Sequence, residues 1–188
     1  MKKKFLKYSI FAFLSLSIMI SMSVSAGAYN LLGPRHKNSK IYYYYDNWVN
    51  SKARSAVGVS ADAWRAKTTE ATISHYSENP NGEYDFYISA GEYPNAQWDG
   101  LTNGKTQNGY FIPKTITVTF NMSERAWNDA KALNSVAAHE LGHVFGLDEN
   151  GTTKTIMNSY TYNTGSRYEY YGLTTPQSDD INGVNAIY

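Results

Sequence analysis

The segment His139-Glu140-Leu141-Gly142-His143 constrains this chain more than any other. Two histidines four residues apart lie one turn above each other on one face of a helix, so both rings can reach one metal ion. The glutamate beside the first histidine is held close to that metal without having to bind it. From there it can take a proton from a water made acidic by zinc and hand it to a leaving amine. Val136-Ala137-Ala138 before the motif and Val144-Phe145 after it supply the apolar side of a buried helix. Asn134 or Ser135 is the expected cap, and Gly146 the stop after Phe145.

The chain has 188 residues, enough for one domain behind a leader. Met1 to Lys7 carries four lysines, Tyr8 to Val24 is an uncharged apolar run, and Ala26-Gly27-Ala28 is a small-x-small site. These are the parts of a secretory signal peptide, expected over 1–28 and removed to leave 29–188. The competing reading is an N-terminal membrane anchor, because the apolar run is nearly long enough to span. Without the leader, 13 basic residues face 16 acidic ones, a net charge near −3. That balance gives no reason to expect nucleic acid or an anionic membrane as partner. There is no cysteine, so no disulfide and no thiol nucleophile or ligand. The expected location is extracellular, and the expected state a monomer.

Along the chain, Ile41 to Tyr45 reads as a strand of aromatic residues. Ser51 to Lys67 reads as a helix, with Ala53, Ala56, Val57, Ala63 and Trp64 at helical spacing. Ala71 to Tyr76 and Tyr84 to Ser89 read as short strands, with a turn signal at Asn79-Pro80-Asn81-Gly82. Gly91 to Gly109, rich in Gly, Asn and Pro, reads as mostly loop, and Thr115 to Phe120 as the clearest strand. Asn150 to Thr175 reads as irregular. A last helix opens near Thr175-Pro176, with Asp179 and Asp180 at its positive end and Ile181, Val184, Ile187 and Tyr188 as its buried stripe. This order indicates a mixed α/β (α+β) domain.

His139 to Glu149 resembles the extended HExxHxxGxxH signature of the metzincin metallopeptidases, with Gly146 turning the chain back toward the metal. Thr155-Ile156-Met157-Asn158-Ser159 is similar to that family's Met-turn. Asn121 to Trp127, the run into His139, and Asp179 to Tyr188 resemble the matrixins, the matrix metalloproteinase type, over most of 29–188. The resemblance implies a twisted five-stranded mixed sheet with one antiparallel edge strand and a zinc helix beneath it. The upper part would span about 29–146 and the lower part about 147–188. It implies a secreted zinc endopeptidase whose peptide substrate lies extended along the edge strand. His139 and His143 would be zinc ligands and Glu140 the general base. The family's third histidine falls on Glu149; a carboxylate is a sound zinc ligand, so Glu149 is expected to be the third, with Asp148 the neighbouring candidate.

Other departures follow from the same comparison. Matrixins carry a second, structural zinc site built from histidines; only His36 and His75 are left for one here, and each is expected to be a surface or strand residue. Calcium sites leave little trace in sequence. No room is left for an inhibitory pro-segment, so the protein is expected to be secreted active or restrained by a partner. Tyr160 is a candidate to help stabilise an oxyanion or to line the cleft. Asp179 and Asp180 are expected to be structural, the second supporting the Met-turn. The rival to the peptidase reading is a non-catalytic binding module on the same scaffold.

Overall fold

The structure is a computed structural model that describes residues 29–76 and 83–188. The signal peptide and the Asn79–Gly82 turn signal lie outside the described residues. Eleven short elements build the domain. They are β1 (Lys40–Tyr45), α1 (Ser51–Arg65), β2 (Thr72–His75), β3 (Phe86–Gly91), β4 (Gly100–Asn103), β5 (Thr106–Gln107), β6 (Tyr110–Phe111), β7 (Ile116–Asn121), a 3-10 turn (Arg125–Asn128), α2 (Ala130–Phe145) and α3 (Ser178–Ile187). Among the described residues no helix is long and apolar enough to cross a membrane.

Five strands form one sheet in the order β2-β1-β3-β7-β4. The first four are parallel, and β4 runs antiparallel to β7 at the end of the sheet. Strict alternation drives the burial. Ile41, Tyr43 and Tyr45 of β1, Phe86 and Ile88 of β3, and Ile116, Val118 and Phe120 of β7 all point into the core, while their neighbours point outward. The helices α1 and α2 cover that apolar face. Trp64 of α1 is fully buried, and its indole N–H donates to the carbonyl of Ala138 in α2 at 2.9 Å. The Ser60 hydroxyl donates to the carbonyl of Asn134, a second tie between the two helices. Burying a side chain of this kind contributes about 1.5–3 kcal/mol, so the pairing fixes α2 against the scaffold.

Two sequence expectations are corrected here. The cap of α2 is Asp129, not Asn134 or Ser135: its carboxylate accepts from the N–H groups of Lys131 and Ala132 at 2.9 and 3.2 Å. Ala130 to Leu133 are good helix formers, so the helix starts one turn earlier. The expected loop from Gly91 to Gly109 contains β4 and β5. Glycine and asparagine there hide a strand that backbone pairing with β7 creates and that side-chain pattern does not signal. The last helix begins at Ser178, just beyond Pro176, and its Asp180 accepts the N–H of Gln177 at 2.7 Å. Of its expected stripe, Val184 is fully buried, while Ile181, Ile187 and Tyr188 are half-buried.

Candidate metal centre

The last two turns of α2 carry His139 and His143 toward the same side. Their rings stand edge to face, with centroids 4.7 Å apart. The chain then leaves the helix through Gly146, whose φ of 104° is open to glycine and strained for other residues. That turn returns Glu149 to the two rings. His139 Nε2 lies 3.1 Å from His143 Nε2, and Glu149 Oε1 lies 3.2 and 3.4 Å from the two nitrogens. Among the described residues this is the one group of three or more candidate ligands.

The donor chemistry fits a metal ion. His139 Nδ1 is 2.9 Å from the carbonyl of Ile156, and His143 Nδ1 is 2.8 Å from the carbonyl of Leu147. Carbonyls only accept, so each Nδ1 carries the hydrogen and each Nε2 turns a lone pair inward. Two lone pairs facing each other beside a carboxylate repel unless a cation lies among them. The three separations also match a tetrahedral edge of about 3.3 Å, which follows from zinc bonds of about 2.0–2.1 Å.

Charge in the cluster follows the same logic. Burial opposes ionisation of Glu149, but its contacts with the His139 and His143 rings hold its carboxyl well below the usual range. Burial also opposes a charge on His143, yet Glu149 and Glu140 raise it to about 8. Burial holds His139 below its ordinary value. Asp148 does not join the cluster: its Oδ1 accepts the N–H of Glu149 at 2.8 Å and so shapes the turn that presents the neighbour.

Glu140 is buried and lines the cleft next to the three candidate ligands. Thr102 of β4 donates its hydroxyl to Glu140 Oε2 at 2.7 Å. The approach of β4 depends on Gly100, where a Cβ would come within 2.8 Å of Glu140 Cγ and Oε1. Met157 is buried beneath the helix, and a Cβ on Gly142 would land on its Sδ. Asp180 of α3 holds that turn from below, accepting the N–H groups of Ile156 and Met157 at 2.8 and 3.2 Å. The cleft holds about 420 Å³. Residues 97–102 line it from β4 and the chain before it, and residues 159–163 with Arg167 line it from the irregular segment. Tyr160 is among them, half of its surface exposed.

His75 stands on β2 as expected, but His36 is corrected. It is buried at 3% exposure against Phe111, because the bridge of Arg35 to Tyr110 lays the chain beside the β5-β6 hairpin. Sequence reasoning missed Thr102, which sat in an expected loop, and Arg167, a lone cation in a stretch without periodicity. Neither carried a signal.

Fold and site together are those of a zinc metallopeptidase-like domain: a mixed sheet over a helix that carries two imidazoles and an adjacent carboxylate, with a second carboxylate from the next turn. A family model described as matrixin matches residues 36–188, and the chain belongs to the matrixin family. Among solved structures, a chain of the GM1 bound form of the ECX AB5 holotoxin is similar at a TM-score of 0.52 and 12% identity, over 86% of this chain and 88% of that chain. At that identity the likeness concerns the fold alone.

Proposed function

We propose that this protein is a secreted, zinc-dependent endopeptidase in which His139, His143 and Glu149 hold the metal and Glu140 is the general base. The convergence of His139 Nε2, His143 Nε2 and Glu149 Oε1 beside buried Glu140 carries the reading. A zinc ion held there supplies Lewis acidity and brings the pKa of a water toward neutrality.

The protein's own residues do the rest. Glu140 accepts a proton from the attacking water and returns it to the departing amine nitrogen. The Thr102 hydroxyl fixes the orientation of that carboxylate. Among the described residues strand β4 pairs with β7 on one side only, so its other edge can take an extended peptide backbone by strand addition. That arrangement suits a protein or peptide partner, bound by a monomer. Export by the N-terminal leader places the activity outside the cell.

The test uses the purified protein with zinc and casein. Digestion should stop with chelator, and Glu140→Ala should lower kcat/KM by about 10²–10⁴-fold while zinc content stays at the wild-type level. Digestion at the wild-type rate by Glu140→Ala would overturn the reading.

A further inference from the structure

The one basic side chain of the cleft that is not a histidine has no task in this chemistry. Arg167 lines the cleft and is only 3% exposed. Its Nη1 donates to the carbonyl of Asn158 at 2.8 Å, and its Nη2 to the Thr161 hydroxyl at 2.7 Å. Its Nε is buried with no hydrogen-bond partner. No ion pair among the described residues includes it.

A brace for the 158–167 loop accounts for the two Nη contacts. It does not account for the open Nε–H or for the charge, since a neutral side chain could donate to a carbonyl and a hydroxyl. Glu140, Asp99 and Glu149 favour the buried charge from a distance, but none pairs with it directly, and the planar guanidinium fork matches a carboxylate. Arg167 is also the one lysine or arginine among the cleft-lining residues, against Asp99, Glu124, Glu140 and Glu149. Anionic groups are therefore repelled along most of the cleft and attracted at one place.

We propose that Arg167 is a specificity-determining residue that receives a substrate carboxylate, so that the protein selects peptides acidic at one position near the cleaved bond. This rests on the peptidase reading above. The carboxylate is either an Asp or Glu side chain or the peptide's own terminus, and the chemistry is the same.

The test uses zinc-loaded protein and two peptide sets, one blocked at both ends and one with a free carboxyl terminus. Glu, Gln or Leu is placed in turn at each of the positions flanking the cleaved bond. A charge-assisted hydrogen bond should favour Glu over Gln by about tenfold in kcat/KM at a single position. If the preference appears only in the free-terminus set, the bound carboxylate is the terminal one. Arg167→Gln should bring the Glu/Gln ratio to about one, and Arg167→Lys should retain part of it. The ratio is internal to each variant, so a general loss of activity does not mimic the effect. Binding of the same peptides to Glu140→Gln protein, read by fluorescence anisotropy, should give the same ordering.

A wild-type protein that favours Gln or Leu at every position in both sets overturns the inference and leaves the peptidase reading standing. So does a Glu preference that survives Arg167→Gln. If no peptide and no casein is cleaved, the peptidase reading fails. The anisotropy ratio then still decides whether Arg167 receives a carboxylate, and a ratio of one overturns that too.

Discussion

Asp148 and Glu149 are adjacent carboxylates with opposite duties. The first caps the N–H of the second, and the second meets both imidazoles. Glu149→Ala should therefore weaken zinc binding by more than about 100-fold, while Asp148→Ala should leave it nearly as it is. Zinc titration of the two variants checks this, and equal losses would contradict the ligand assignment. His36 offers a separate test by pH. Burial lowers it to about 4, so the unfolded chain takes up its proton first. Stability from this group is complete above the ordinary value of 6.5, declines as pH falls, and is lost below about 4. The contribution is about 3 kcal/mol at most. Urea denaturation between pH 4 and 7 should show a shallower slope for His36→Phe, which keeps a ring against Phe111. The resemblance pointed to Glu149 as the third ligand with Asp148 as the neighbouring candidate, whereas His36 carries nothing local that marks it as buried.

At the scale of elements, α2 decides most of the site. Its ligand spacing, its apolar side and its glycine stop were all legible, because each depends on residues within one or two turns. What lies beneath it was only partly legible. Gly142 sits where helix propensity favours alanine by about 1 kcal/mol. Its Cβ, however, would strike Met157, and overpacking of this kind costs about 1–3 kcal/mol. Gly142→Ala should therefore destabilise the protein on balance and weaken zinc binding. Met157→Ala in the same chain should recover part of both, as thermal melts and zinc titration would show. Strand β4 was not legible at all. Leu101 and Asn103 face solvent, and Gly100 and Thr102 face α2, so no apolar alternation marks the strand.

Across the whole molecule, the candidate metal centre joins parts of the chain that packing and hydrogen bonds such as those of Asp180 also hold. Histidines from α2, a carboxylate from the following turn and the carbonyls of Leu147 and Ile156 meet at one point. There is no cysteine to cross-link them. Zinc should therefore stabilise the fold by mass action, by about 4 kcal/mol at a thousandfold excess over Kd. For a domain of this size that raises Tm by roughly 8–16 °C. Scanning calorimetry with stepped zinc concentrations, and with chelator, measures it. A Tm independent of zinc would show that the cluster does not bind it in the folded state.

The sequence by itself determined the helix α2, its two imidazoles, the carboxylate between them, the glycine that turns the chain back and most of the strands. All of these are local: helical spacing, strand alternation and turn chemistry act between residues a few positions apart. Only the tertiary structure brings Glu149, expected from the resemblance, to both imidazoles while Asp148 stays outside, makes Gly100 and Thr102 an edge strand against Glu140, and buries Arg167 in the cleft without an ion pair. Those outcomes depend on contacts between distant segments, such as Thr102 with Glu140 across 38 positions. No pattern along the chain records such contacts, because the geometry that creates them exists only once the sheet has closed over the helix.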